Sequence, residues 1–220
     1  MDRVAPARYR ASFHKTEAMR YTGNLDLHRT LERTLRRAGL PLAYTQGFHP
    51  HPRLTLACAL ALGCTSEAEL ADFWLEEALP AEEILGRCQR AAPSGIRVTD
   101  VSAVGLQEPS LSTLVVSAEY EAELGLESVP ADLAGRIEAL LAREAIPRTR
   151  REKAYDLRPL IEALETEVRP EGGPVVLMRL AAREAATGRP EEVLLALGVE
   201  PAEARIHRRG LILAEREAEV

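Results

Sequence analysis

The sequence predicts an α+β protein built from two tandem ferredoxin-like (βαββαβ) halves with antiparallel sheets. Three observations predict it. Apolar residues switch between period 2 and period 3.6 in the order strand, helix, strand, strand, helix, strand. The same order recurs in the second half of the 220 residues. Between the two runs, residues 105–112 carry Gly, Pro and Ser with little hydrophobic pattern. The expected domains are therefore residues 1–107 and 108–220, with one mixed α+β domain as the plain alternative.

In the first half, Tyr9, Ala11 and Phe13 alternate with Arg8, Arg10, Ser12 and His14, which predicts a half-buried strand with a basic outer face. A helix follows over residues 24–38. Asn24 is its expected N-cap and Gly39 its C′ residue. Leu27, Leu31, Leu35 and Ala38 share one face, and Arg29, Arg33, Arg36 and Arg37 the other. In Gln46-Gly47-Phe48-His49-Pro50-His51-Pro52, the prolines and the glycine forbid regular structure. Residues 53–62 and 70–76 read as strands around a turn at 63–66. Pro80, followed by Glu82 and Glu83, opens a second helix, Gly95 ends the connection, and residues 96–101 form the fourth strand. Phe73 and Trp74 are neighbours on a strand, so one of them faces away from the core. Trp74 is expected against a helix or a domain contact, with its N–H paired.

In the second half, Leu114, Val116, Ala118, Tyr120, Ala122 and Leu124 mark a long strand. Residues 128–145 read as a helix, with Leu133, Ile137, Leu140 and Leu141 on its inner stripe. Residues 146–168 read as irregular plus at least one strand, and 175–182 as a strand. Pro190 opens a helix that stops at Gly198, and 206–213 is the last strand.

Composition narrows the function classes. Aromatics are 4% of the chain, so Leu, Val, Ile and Ala must fill the core. No apolar run reaches the roughly 20 residues that span a bilayer, and the first residues lack a signal-peptide pattern. The expectation is a cytoplasmic protein with no membrane partner. Cys58, Cys64 and Cys88 make no Cys-x-x-Cys pair, so neither a metal nor another cofactor is expected on this chain. The net charge of −6 conceals segregation: residues 1–55 hold ten Lys/Arg against four Asp/Glu, and residues 56–142 four against fifteen. That segregation keeps a nucleic-acid partner open despite a pI of 5.5. Gly-x-Gly-x-x-Gly, Walker, His-Glu-x-x-His and Gly-x-Ser-x-Gly motifs are absent from the sequence.

The chemistry-bearing residues concentrate between Lys15 and Arg53. His49 and His51 flank a proline, and in an extended segment alternate side chains point the same way. They could bind phosphate or shuttle a proton; the plain alternative is a proline-braced loop whose histidines cap backbone groups. Tyr44, Gln46, Phe48 and Arg53 join them. Arg20, Asp26 and Arg29 surround a helix N-terminus suited to a phosphate or carboxylate. A second basic stretch contains Arg150, Arg151, Lys153 and Arg158. One cleft between the halves is the expected location of the site.

Lys15-Thr16, Arg20, Leu25-Asp26-Leu27, Arg29, Arg36 to Pro41, Tyr44, Gln46-Gly47-Phe48, Pro50-His51-Pro52-Arg53, Gly63 and Ser66-Glu67-Ala68-Glu69 together resemble the hallmark run of a radical-SAM-linked bacterial family of unknown function. Asp156-Leu157-Arg158-Pro159-Leu160-Ile161 is similar to its second block. The sequence departs at Asn24, where the family usually has His, and at His49, where it usually has Asn. Members occur as separate chains or as the C-terminal part of cobalamin-binding radical-SAM proteins, so the resemblance implies a radical-SAM partner. Because the three cysteines make no cluster motif, any iron–sulfur cluster is then expected on another chain.

The resulting expectation is an accessory subunit that binds RNA, or an RNA-linked substrate, for a radical-SAM enzyme. The residues expected to touch it are Lys15, Arg20, Asp26, Arg29, Arg33, Arg36, Tyr44, Gln46, Phe48, His49, Arg53, Arg150, Lys153 and Arg158. The alternatives are a metal-independent endoribonuclease with His51 as the catalytic acid or base, assisted by Arg20 or Lys15, and a purely structural protein partner.

Overall fold

The computed structural model describes residues 6–150, 152–170, 173–183 and 185–214. The chain divides into two compact units, Met1–Leu114 and Val115–Val220. The expected boundary at 107/108 thus falls inside the first unit. Residues just past it are tied back into that unit: the Arg8 guanidinium donates to the backbone carbonyls of Glu108 and Pro109, at 2.7 and 2.8 Å.

The first unit contains β1 (Ala7–Lys15), α1 (Asn24–Arg37), β2 (Leu54–Leu56), β3 (Thr65–Leu75), α2 (Ala81–Ala91), β4 (Ile96–Val104) and a single turn, α3 (Leu111–Leu114). Its sheet runs β4-β1-β3-β2, and every neighbouring pair is antiparallel. Both longer helices pack on one face. Leu27, Leu31 and Leu35 of α1 and Ile84 and Cys88 of α2 join Tyr9, Phe13, Phe73, Val98 and Val101 in one core. Each such aliphatic side chain contributes about 1.5–3 kcal/mol by leaving water.

The opposite face of β1 is basic as expected, but its Arg8 is buried. Asp72 on β3 is fully buried, accepting from Arg8 Nε at 3.0 Å and Arg10 Nε at 2.8 Å. Arg8 is therefore enclosed as an ion pair. Trp74 lies half-buried on this face, with the Arg8 and Arg53 guanidinium carbons 5.3 and 4.6 Å from its ring centre. Two arginines of its own unit thus lie over its ring.

The second unit contains β5 (Val115–Leu124), α4 (Leu133–Leu141), β6 (Pro147–Arg150), β7 (Lys153–Asp156), β8 (Ile161–Val168), β9 (Pro174–Arg183), β10 (Ala186–Thr187), α5 (Pro190–Leu197) and β11 (Ala204–Leu213). Its main strands run β11-β5-β9-β8, again all antiparallel. The first strand of each unit therefore sits between that unit's third and fourth main strands. β10 folds back on the end of β9, and β6 and β7 form a separate ribbon.

Several boundaries differ from expectation for local reasons. Gly23, not Asn24, caps α1: its carbonyl accepts from Leu27 N, and Asn24 becomes the first helical residue. The strand expected over 53–62 ends at Leu56, and Gly63, at φ 85°, is tied to the Arg20 carbonyl. Cys58, two residues past the strand's end, is consequently half-exposed. The helix expected over 128–145 shortens to nine residues: the Asp132 carboxylate caps Gly135 N at 3.0 Å and sets its start, and Ala142 closes its end. Gly39 and Gly198 do close α1 and α5, with φ of 65° and 79°. No helix among the described residues is long and apolar enough to cross a membrane.

Candidate functional site: an excursion from the sheet edge

The edge of the first unit's sheet is one extended path with an interruption. Leu42 bridges Leu75, and Ala43 N donates to the Trp74 carbonyl at 2.8 Å. Ten residues later Arg53 resumes the path, its carbonyl accepting from Trp74 N at 3.1 Å, and β2 continues along β3. The intervening residues leave the sheet and return to it. Their neck is closed by Arg53 N donating to Ala43 O at 2.8 Å, Thr45 N to His51 O at 2.8 Å, and His51 N to Thr45 Oγ1 at 3.0 Å. Tyr44 bridges Pro52 within this neck. Gly47, at φ 134°, makes the reversal that a side chain would resist.

This closed neck holds an exposed tip. Gln46, Phe48, His49 and His51 are all exposed, and Phe48 reaches 102% of its reference accessibility. Tyr44 is exposed at the base. The Phe48 ring stands in water beyond a hydrogen-bonded neck, so both of its faces are open to stacking. At the root, Arg53 lies over Trp74. α1 packs beside β2, and the His28 ring Nε2 is 3.2 Å from Leu54 O. The exposed arginines Arg29, Arg33 and Arg36 belong to this same helix.

The other expected site residues distribute differently. Lys15 is 1% exposed, with Nζ donating to the carbonyls of Arg20 and Cys64 at 3.1 and 2.9 Å. It is a structural cation, which corrects its expected surface role. Arg20 Nε donates to Gly63 O at 2.8 Å, and its guanidinium lies 5.4 Å from the centre of the exposed Tyr21 ring. Asp26 and Arg29 are both exposed and pair with each other at 3.3 Å. Arg158 is corrected too: Nε donates to Leu141 O at 3.0 Å and Nη1 to Ile161 O at 3.1 Å, so its guanidinium fastens backbone. Arg150 and Lys153 face a groove of the second unit that also collects Tyr155 and Arg189. Arg189 escapes sequence reasoning because its neighbourhood advertises only the start of a helix at Pro190. Arg151 lies outside the described residues.

Residues 8–190 match a family described as uncharacterized proteins conserved in bacteria, DUF2344. The chain belongs to this family. No curated protein matches its sequence. Among solved structures, a chain of a Cbf5–Nop10–Gar1 complex aligns over 94% of this chain and 48% of its own length, at 12% identity and a TM-score of 0.42. A chain of the archaeal box H/ACA sRNP Nop10–Cbf5 complex aligns over 94% and 47%, at 14% identity and a TM-score of 0.39. This DUF2344 chain thus spans about half the length of the structures it matches. No group of three His, Cys, Asp or Glu able to hold a metal ion occurs among the described residues.

Proposed function

We propose that this protein is an RNA-binding accessory subunit, and that the excursion between Ala43 and Arg53 is its reading head. The observation that carries the proposal is Phe48, an aromatic ring fully in water at the tip of a backbone-locked loop. Such a ring stacks on an unpaired base, and Tyr44, His49 and His51 offer further faces or hydrogen-bonding edges. Arg29, Arg33 and Arg36 supply cations for the phosphates. The reading that both units are ferredoxin-like is supported by the strand order repeated in each. Partnership with a cobalamin-binding radical-SAM protein rests on the sequence resemblance alone. The endoribonuclease alternative is weakened at one proposed helper, since Lys15 is enclosed.

The test is fluorescence anisotropy of labelled single-stranded and hairpin RNAs with the purified chain. Phe48→Ala is expected to weaken binding about 5- to 150-fold, the value of one stacked base at ~1–3 kcal/mol. Its melting temperature should not change, because the ring packs on nothing. Unchanged RNA affinity in Phe48→Ala, or no RNA binding by the parent, overturns the proposal.

A further inference from the structure

The second unit holds a basic groove that owes nothing to the excursion. The β6–β7 ribbon forms one wall, and the segment from Ala185 to Arg189 forms the other. Its volume of about 590 Å³ falls within the range of small-molecule sites. Arg150, Lys153 and Arg189 all line it. Among the described residues, no carboxylate forms an ion pair with any of the three, so their charge is left for something else.

Two carboxylates nearby have partners of their own. Asp156, in the lining, accepts from Ile146 N at 2.7 Å and Arg158 N at 2.9 Å through one oxygen. Glu192 faces Arg148 at 3.5 Å. Tyr155 lines the same wall. Burial foremost, and then the nearby Glu192, push its hydroxyl pKa upward against the pull of Arg148, Arg189 and Arg150. The hydroxyl therefore keeps its proton and serves as a donor. Leu160 and Ala186 complete the lining with apolar surface. Three cations and a phenol donor suit a phosphate, and the ring beside aliphatic side chains suits a flat heterocycle.

We propose that this groove binds a nucleoside phosphate, with the phosphate held by Arg150, Lys153 and Arg189 and the base laid against Tyr155 and Leu160. The ligand is either a free nucleotide or the phosphorylated 5′ end of an RNA, since both present the same chemistry. The competing explanation is that the cations merely keep a ribbon edge soluble, in which case phosphate compounds bind no better here than elsewhere on the surface.

Calorimetric titration of the full chain separates these cases, using inorganic phosphate, adenosine and uridine 5′-monophosphates, and an RNA pentamer with and without its 5′ phosphate. A 5′-monophosphate is expected to bind about tenfold or more tightly than phosphate, because stacking the base adds to the ionic attraction. Arg150→Glu and Arg189→Glu should each reduce that affinity about tenfold or more, as expected when a charge-assisted hydrogen bond is removed, and Lys153→Ala should reduce it less. Nucleotide titration of the Arg150→Glu and Arg189→Glu variants and RNA anisotropy of Phe48→Ala read the two sites separately, so this result stands or falls apart from the RNA-reading proposal. A pentamer no tighter than the mononucleotide supports a free-nucleotide site. A 5′-phosphorylated pentamer that outbinds both the mononucleotide and its unphosphorylated twin supports an RNA-end site. Nucleotides that bind no better than phosphate, or affinities unmoved by both Glu substitutions, overturn the inference.

Discussion

Asp72 shows how much of this fold rests on single residues. Its carboxylate has no exposed surface and accepts from two arginines of the neighbouring strand, 64 and 62 positions away in sequence. Removing it would leave Arg8 enclosed without its countercharge. Asp72→Ala is therefore expected to lower stability by about 3–5 kcal/mol, read as a shift in the urea midpoint of the full chain, with Asp72→Asn costing less. A decrease below ~1 kcal/mol would show that water or movement relieves Arg8. Cys88 makes a second residue-scale test. Burial among apolar side chains, Phe13, Leu31 and Val98 among them, pushes its thiol up to about 11 from 9.0. The folded state then keeps a proton above pH 9 that the unfolded chain releases, so this group's contribution to stability falls as pH rises from about 9 towards 11. Cys88→Ala should remove that part of the alkaline decline. Native thiol labelling at pH 8 should modify the half-exposed Cys58 well before Cys64 or Cys88. Residue types flagged these positions only partly. Cys64 and Cys88 are buried and Cys58 is not, while Lys15 and Arg158 carry charges that signal surface and yet hold backbone carbonyls.

At the level of elements, the excursion is the informative unit. Its proline content announced a rigid loop, but the sequence did not show that Ala43 and Arg53 are neighbours on one edge path. That follows from both bonding to Trp74, 31 and 21 residues onward. Because the neck bonds are independent of the tip, the tip should be removable. Replacing residues 46–50 by Asn-Gly, a two-residue hairpin turn, should leave the melting temperature nearly unchanged and abolish RNA binding. Failure to fold instead would mean that the tip contributes to the sheet edge. α1 and α5 were legible because their signals are local: leucines at helical spacing, and a glycine at each C′ position where φ turns positive. The helix expected over 128–145 was overextended at both ends: Asp132 caps its first turn, and the helix closes at Ala142.

Over the whole molecule, a net charge of −6 would oppose binding to a polyanion if it were evenly spread. The exposed arginines of α1 make the local field differ from the global sum. RNA affinity should accordingly fall as salt rises, and the double variant Arg33→Glu and Arg36→Glu should flatten the log–log salt slope by about 0.7 for each phosphate no longer neutralised. An unchanged slope would place the phosphate-binding cations elsewhere. Local sequence was enough to specify the α+β class, the alternation of strands and helices in each half, the helix ends at Gly39 and Gly198, and the concentration of unusual side chains around Phe48. Periodicity, proline and glycine act through the nearby backbone, so they can be read without knowing the fold. Long-range packing alone settled which charges are surface and which are structure, that residues up to Leu114 belong to the first unit, and that Arg150, Lys153, Tyr155 and Arg189 line one groove. Those outcomes depend on meetings between residues tens of positions apart, and a guanidinium in the sequence looks the same whether it will meet water, a carbonyl or a carboxylate.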